Sequence, residues 1–460
     1  MGALSNVLSN LPEVASPTQK KLSFQEKLKW TLIVLVLFFV LGLVPLYGLE
    51  ANQLQRFELL SIILGAKFGS VISLGIGPIV TASIVLQLLN GAGILKFDLT
   101  THEGKKMFQG VQKASALLFT LFEAAMYVYL KGFPPRAGIS PLVIVFQLVL
   151  GGILILFMDE VVSKWGFGSG ISLFIAAGVS EGLVVRLLSP LTQTGALYFG
   201  TGEAPVGAIF AIFHFLPLGD VANVAINLAA IAATVLVFIL AVYAQSMKVE
   251  IPLSFGRVRG QGIRWPLSFI YTSNIPVILV AALIANIQLF AMMLSQRGIN
   301  ILGTFVGSTP STGIVAWLHP TDIVGSLIKG SLRSIDVLHA GTYILFMIVG
   351  SVIFSHFWVQ TSGLDPKSQA KQMMASGLQI PGFRRDERVL ERLLERYIGP
   401  LTIMGAIAVG FLAATADLTG ALTSGTGLLL SVMIVYNLYE SISQQHMMDM
   451  NPMLRKFMEK

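Results

Sequence analysis

The chain has 460 residues and no cysteine. That excludes a disulfide framework, a thiolate metal site and a cysteine nucleophile. Charge is almost as scarce. Asp, Glu, Lys and Arg make up 12% of the residues, against about 25% in soluble domains. None of the six histidines lies in an H-E-x-x-H arrangement, so a zincin-type protease is excluded. No G-x-x-x-x-G-K-[ST] stretch is present, which rules out a P-loop. FGSG at 167–170 lacks the leading glycine of an intramembrane serine protease motif, and PLGD at 217–220 lacks the first glycine of a G-x-G-D aspartyl motif. These gaps argue against an enzyme, and no cofactor or metal is expected. A cleavable signal peptide is not expected either. The first apolar run follows the polar stretch Gln19 to Lys29 and is too long for a signal core.

What the chain holds in abundance is apolar surface. Hydrophobic residues make up 54%, and the mean hydropathy is +0.76. Water cannot solvate such a surface, whereas a bilayer can. The 45 glycines sit inside apolar runs, where they let membrane helices pack closely. A spanning helix needs about 20 apolar residues. Ten segments meet or approach that length, near 28–49, 71–91, 108–130, 139–158, 169–189, 222–244, 265–289, 338–359, 396–415 and 422–440.

Lys and Arg in the loops set the orientation. With the N-terminus in the cytoplasm, 23 of the 31 basic residues fall on the cytoplasmic side and 8 outside. Both termini are then cytoplasmic. The start, residues 1–27, is compatible with an amphipathic helix on the membrane surface. Two basic loops follow from this placement, 246–264 and 360–396. The first holds Arg257 and Arg259, and the second Arg384 and Arg385. Either they only fix topology, or they form a docking face for an acidic or nucleic-acid-bearing partner.

The segment at 56–69 is apolar but too short to span. It reads equally as a surface helix or as a re-entrant element lining a cavity. Five spans followed by five permit an inverted repeat, although the halves do not align by identity. Ionisable groups at membrane depth are few, with Glu123 the main case, and this scarcity favours a structural hydrogen bond over ion coupling. Ile76 and Val80 share one helix face at i, i+4, as do Ile171 and Ile175. Such pairs are usually ordinary bundle core, but a ring of them could seal a pore by dewetting.

Residues 75–89, GIGPIVTASIVLQLL, closely resemble the signature stretch of the SecY family, the central subunits of protein-conducting channels. FQGVQK at 108–113, WGFGSGISLFIAAG at 165–178, IPLSFGRVRGQG at 251–262, SNIPVIL at 273–279, IPGFRR at 380–385 and SGTGLLLSVMIVYNLYE at 424–440 agree in the same order, in wording closest to the archaeal branch.

The resemblance implies an all-α integral membrane protein. Its ten transmembrane helices would form two inverted five-helix halves, 28–189 and 222–440. An external linker at 190–221 would join them, with an external loop at 290–337 and a cytoplasmic tail at 441–460. It implies a pore ring of Ile76, Val80, Ile171, Ile175, Ile278 and Leu430. A short re-entrant plug helix would carry Leu59, Leu60, Ile62, Ile63 and Leu64. A lateral gate between the second and third helices and the seventh and eighth would hold a polar cluster of Thr81, Glu123 and Asn286. Arg257, Arg259, Arg384 and Arg385 would dock the ribosome. The implied partners are SecE-type and Sec-beta-type small membrane subunits, the ribosome, nascent or signal-bearing polypeptides, and lipid of the cell membrane. The readings that compete are a secondary transporter of small solutes, which needs more buried charge, and a non-conducting ribosome-docking scaffold or insertase.

Overall fold

A computed structural model describes residues 12–18, 22–50, 66–91, 94–95, 97, 101–130, 132–192, 196–199, 202–255, 262–272, 274–306, 309–375, 378–379 and 386–450. Plug residues Leu59, Leu60, Ile62, Ile63 and Leu64 and docking residues Arg257, Arg259, Arg384 and Arg385 lie outside them.

Ten long helices correspond to the ten apolar segments. They are α1 (Phe24–Leu43), α2 (Gly77–Gly91), α3 (His102–Tyr129), α4 (Pro141–Trp165) and α5 (Gly170–Leu188), then α7 (Val221–Ser246), α8 (Ile275–Gln296), α11 (Ser334–Thr361), α13 (Glu387–Leu418) and α14 (Gly425–Met450). Short helices intervene: α6 (Ala208–Phe215), α9 (Ile314–Trp317), α10 (Ile323–Ile328) and α12 (Pro366–Ala375). Seven of the described helices are long and apolar enough to cross a membrane by length and composition. The other three long helices are α1, whose first turns carry Glu26, Lys27 and Lys29, the 15-residue α2, and α3, whose start is charged.

Local chemistry explains the helix starts. Ser23 caps α1 through a capping box, its hydroxyl accepting from the Glu26 amide at 3.3 Å while Glu26 Oε2 accepts from the Ser23 amide at 3.4 Å. Pro141, Pro78 and Pro276 stand in the first turns of α4, α2 and α8, where a missing N–H costs nothing. Residues 71–76 form consecutive turns before α2, with Gly75 at φ 54°. Only glycine takes that conformation freely, so α2 begins inside the fold as a broken helix.

The outer faces stay apolar. Leu32, Val36 and Val40 on α1, Val235 and Ile239 on α7, and Leu345 and Val349 on α11 are all exposed. Exposed apolar faces of this kind fit hydrocarbon, not water. The largest core cluster runs through both halves, from Val34 and Ile76 to Leu430 and Met433. A second gathers Leu74, Tyr127, Phe133 and Leu289.

The expected span near 265–289 begins only at Ile275. The residues before it form a strand. β1 (Lys248–Phe255) pairs antiparallel with β2 (Gly262–Ser268), and β5 (Leu378–Gln379) adds at the far end of β1 to give the order β2-β1-β5. The remaining strands, β3 (Phe305–Val306) and β4 (Thr309–Pro310), pair with each other in the 290–337 loop. Pro266 lies on edge strand β2. Pro252 lies on β1 before β5 begins to pair, so neither interrupts a two-sided ladder. A third core cluster seals this layer, with Ile251 and Leu267 packed on Ala370, Met373, Leu390 and Leu394. The described parts of the two basic loops therefore pack on one core.

Candidate functional site

The six candidate ring residues come together. Ile76, Val80, Ile175, Ile278 and Leu430 are buried within the one large cluster, and Ile171 packs against it. They occupy equivalent places in their helices. Val80 and Ile278 are each the fourth residue of their helix, two positions after a proline; Ile175 and Leu430 are each the sixth. Ile76 precedes α2 by one residue, and Ile171 is the second residue of α5. The candidate ring residues thus come from the starts of four helices, α2, α5, α8 and α14. Branched aliphatic side chains there can part around a large solute without leaving a polar group unpaired.

Helix starts at membrane depth leave amide donors without intrahelical partners. Here they are met. Asp159, near the end of α4, accepts from the Ile171 amide at 3.0 Å. Asp417, near the end of α13, accepts from the Thr426 amide at 2.8 Å and from the Tyr343 hydroxyl at 2.7 Å. The Thr426 hydroxyl also donates to Asp417. Neither Asp159 nor Asp417 is among the candidate site residues named from the sequence. A carboxylate a few residues before a Ser-Gly pair was the available signal.

Thr81, Glu123 and Asn286 also meet. The Thr81 hydroxyl lies 3.0 Å from Glu123 Oε1, and the Asn286 amide donates to Thr81 at 2.9 Å. The Gly77 carbonyl is a further acceptor for Thr81, at 2.8 Å. Glu123 is 1% exposed, and its Oε2 has no hydrogen-bond partner among the described residues. The cluster joins α2, α3 and α8, and α2 packs against α8 and α11. Nearby, Lys67 reaches Glu181 on α5 at 2.5 Å. This pair ties the chain that follows residues 51–65 to the helix carrying Ile171 and Ile175.

Two features mark the basic end. Residues 12–18 contain no helix. Glu13 to Ala15 instead run along the end of α4, where the Val14 amide donates to Glu160 at 2.9 Å and Trp165 Nε1 donates to the Ala15 carbonyl at 2.8 Å. Lys164 donates to Glu13, and this bond holds the Glu13 carboxyl below its ordinary pKa against the smaller opposing effect of burial. A cavity of about 390 Å³ opens beside this strap, lined by Lys106, Gln109, Lys113 and Glu160 among others. At the second feature, Lys248 meets Glu440 at 2.8 Å, and that hydrogen bond raises the Lys248 pKa. Phe255, the last described residue before 256–261, pairs with Leu378, two residues before 380–385. The segments holding Arg257, Arg259, Arg384 and Arg385 are therefore attached to neighbouring strand ends. Among the described residues no cluster of His, Asp and Glu could hold a metal ion.

Comparison with known proteins agrees with this geometry. The family model described as SecY matches residues 70–439. "Protein translocase subunit SecY" of Methanothermobacter thermautotrophicus is 45% identical over 459 residues, covering 98% of this chain and 97% of the relative. The protein of the same description from Methanocaldococcus jannaschii is 42% identical over 460 residues, covering 100% of both. A solved structure, "The structure of a protein conducting channel", superposes with a TM-score of 0.82 at 41% identity, covering 96% of this chain and 97% of the other. "Sec61 in the Canine ribosome-channel complex from the endoplasmic reticulum" follows with 0.78 at 40% identity, covering 96% and 97%. The matched residues include the signature at 75–89, all six ring positions and the three polar residues, and the chain belongs to the SecY family.

Proposed function

We propose that this chain forms a passive channel through which unfolded polypeptides cross the membrane, and from which apolar segments pass sideways into lipid. One observation carries the reading: four helix starts bring Ile76, Val80, Ile171, Ile175, Ile278 and Leu430 into a single apolar cluster. Such a ring closes around a threading chain and limits ion flow, because a narrow apolar constriction is costly to wet. The chain has no P-loop to supply energy, so a partner drives movement. A sufficiently apolar segment leaves because hydrocarbon solvates it better than the pore does.

The exit lies between α2 and α3 on one side and α8 and α11 on the other, with Thr81, Glu123 and Asn286 as its polar latch. Residues 56–69 serve as the plug. The halves are 28–189 and 222–440, with both termini in the cytoplasm of a cell membrane. The layer of β1, β2, β5 and α12 presents Arg257, Arg259, Arg384 and Arg385 to the ribosome. A relative solved in complex with a ribosome supports this assignment. SecE-type and Sec-beta-type subunits cover part of the exposed apolar faces.

A photo-crosslinking amino acid at Ile278, compared with one at the outward-facing Leu345, tests the path. With a stalled nascent chain in the channel, adducts at 278 and none at 345 support the reading. Adducts at 345 alone would place the polypeptide outside the ring and overturn it.

A further inference from the structure

The two halves carry one device twice. In α5 the N-cap is Ser169, whose side chain makes no capping bond to its own helix. The bond to the second helical amide, Ile171, comes from Asp159 on the preceding helix. In α14, Ser424 precedes the helix, and the second helical amide, Thr426, is bonded by Asp417, again on the preceding helix. Gly170 and Gly425 stand between serine and amide in the two cases. Each is a glycine because the helix start abuts the helix before it. A Cβ on Gly170 would lie 2.5 Å from Asp159 Cα, and one on Gly425 would lie 2.0 Å from the Ala416 carbonyl carbon. Five residues beyond each glycine comes a ring residue, Ile175 in one half and Leu430 in the other.

We propose that Asp159 and Asp417 are paired positioning residues that hold the starts of α5 and α14 against α4 and α13, and thereby set Ile175 and Leu430 in the closed constriction. The inference rests on the pore-ring reading above. A carboxylate that takes the second amide does the work of an N-cap side chain and complements the positive end of the helix, but it does so across two helices. It therefore fixes where the next helix begins as well as that it begins. Loss of the bond frees the first turn of the helix, and the ring residue stands in the turn immediately after it.

The two caps differ in two respects: Ser424, unlike Ser169, also caps its own helix, its hydroxyl accepting from the Gly427 amide at 3.2 Å, and the two carboxylates have different further partners. The described partners of Asp159 are Ser169, Gly170 and Ile171, all at the start of α5. Asp417 also receives the Tyr343 hydroxyl from α11 at 2.7 Å. Since α11 borders the proposed lateral exit, displacement of α11 pulls on the cap that sets Leu430. Exit and constriction are coupled in the second half and independent in the first.

Resting ion conductance in planar bilayers, measured on the chain with its small subunit, tests this. Asp159→Ala and Asp417→Ala each raise it roughly five- to tenfold, the effect of losing one cap from the closed state. Asp→Asn variants keep one acceptor for the amide and return most of the seal, which a general loss of stability would not do. Leu430→Gly serves as the ring control and leaks. Gly405→Ala serves as the stability control, since its Cβ would lie 2.7 Å from the Phe269 carbonyl oxygen, away from the caps; it stays as tight as the parent. If Leu430→Gly leaks but the alanine variants leak no more than Gly405→Ala, the caps are only structural and the inference falls alone. If Leu430→Gly is also silent, the ring reading falls and takes the caps with it. Should the alanine variants fail to accumulate, Tyr343→Phe decides: a two- to threefold rise supports the coupling, and parent-level conductance overturns it.

Discussion

The side-chain amide of Asn286 on α8 donates to the hydroxyl of Thr81 on α2 at 2.9 Å, across 205 positions of sequence. This bond, with Glu123 behind it at 3.0 Å, crosses the seam proposed as the lateral exit. An interhelical bond of this kind is worth about 1 kcal/mol. Asn286→Leu therefore shifts the seam toward opening by roughly fivefold. Proteoliposomes carrying that variant should transport substrates with shortened apolar targeting segments about fivefold faster than the parent. Equal rates would mean the bond does not restrain the seam.

Packing against the segment after the plug is equally specific. A Cβ on Gly151 of α4 would lie 1.8 Å from the Val71 carbonyl oxygen, so the backbones touch. Gly151→Ala should cost roughly 3 kcal/mol, seen as a lowered midpoint of thermal unfolding. Gly341→Ala on α11 meets nothing within 4 Å. It should be neutral or stabilising by up to about 1 kcal/mol. Indistinguishable midpoints would contradict the close approach of α4 to residue 71.

The basic layer yields an electrostatic expectation. Arg257→Glu with Arg384→Glu should weaken ribosome binding at least about tenfold at physiological salt, and the parent affinity should itself fall as salt rises. Co-sedimentation across a salt series measures both. Affinity unchanged by charge reversal would remove these arginines from the docking face.

The strap at Glu13 gives a pH dependence with a definite sign. Lys164 holds the folded-state pKa of Glu13 below its ordinary value. The stabilisation is therefore present above the ordinary carboxylate pKa, about 4, and is lost as pH falls through the lowered folded value. The side chain of Glu13 is 64% exposed, so the effect is modest. Hydrogen exchange at the Val14 amide, corrected for intrinsic rates, should show protection at neutral pH that fades in acid below that range. Glu13→Gln should flatten the profile, and an unchanged profile would show that Glu13 does not hold the strap.

The helices were legible because hydrocarbon demands long apolar runs, and little else produces them. That Thr81, Glu123 and Asn286 meet, and that the six candidate ring residues gather, was legible only through resemblance. Isoleucines at i, i+4 look like any bundle core, and Thr81, Glu123 and Asn286 are separated by 42 and 163 positions. The β layer was not legible as such. Trp265 to Ile270 reads as the start of the apolar run that becomes α8, and only pairing with β1 makes its part up to Ser268 a strand. Nor did the two basic loops announce that they pack on one core through Ile251, Leu267 and Leu390. The matched caps stayed hidden for a related reason. Asp159 precedes its amide partner by 12 positions and Asp417 by 9. No fixed spacing in sequence links the halves; the common feature is a contact between helix ends.

The most direct test of a sealed polypeptide channel is ion conductance in planar bilayers. The chain would be purified with its SecE-type subunit and compared with a variant lacking residues 57–67. A quiet intact channel, with large and unstable openings in the deletion, is the expected result. Silence from both, even with a nascent chain trapped inside, would contradict a pore through the ring of Ile76, Val80, Ile171, Ile175, Ile278 and Leu430 and favour a scaffold that never conducts.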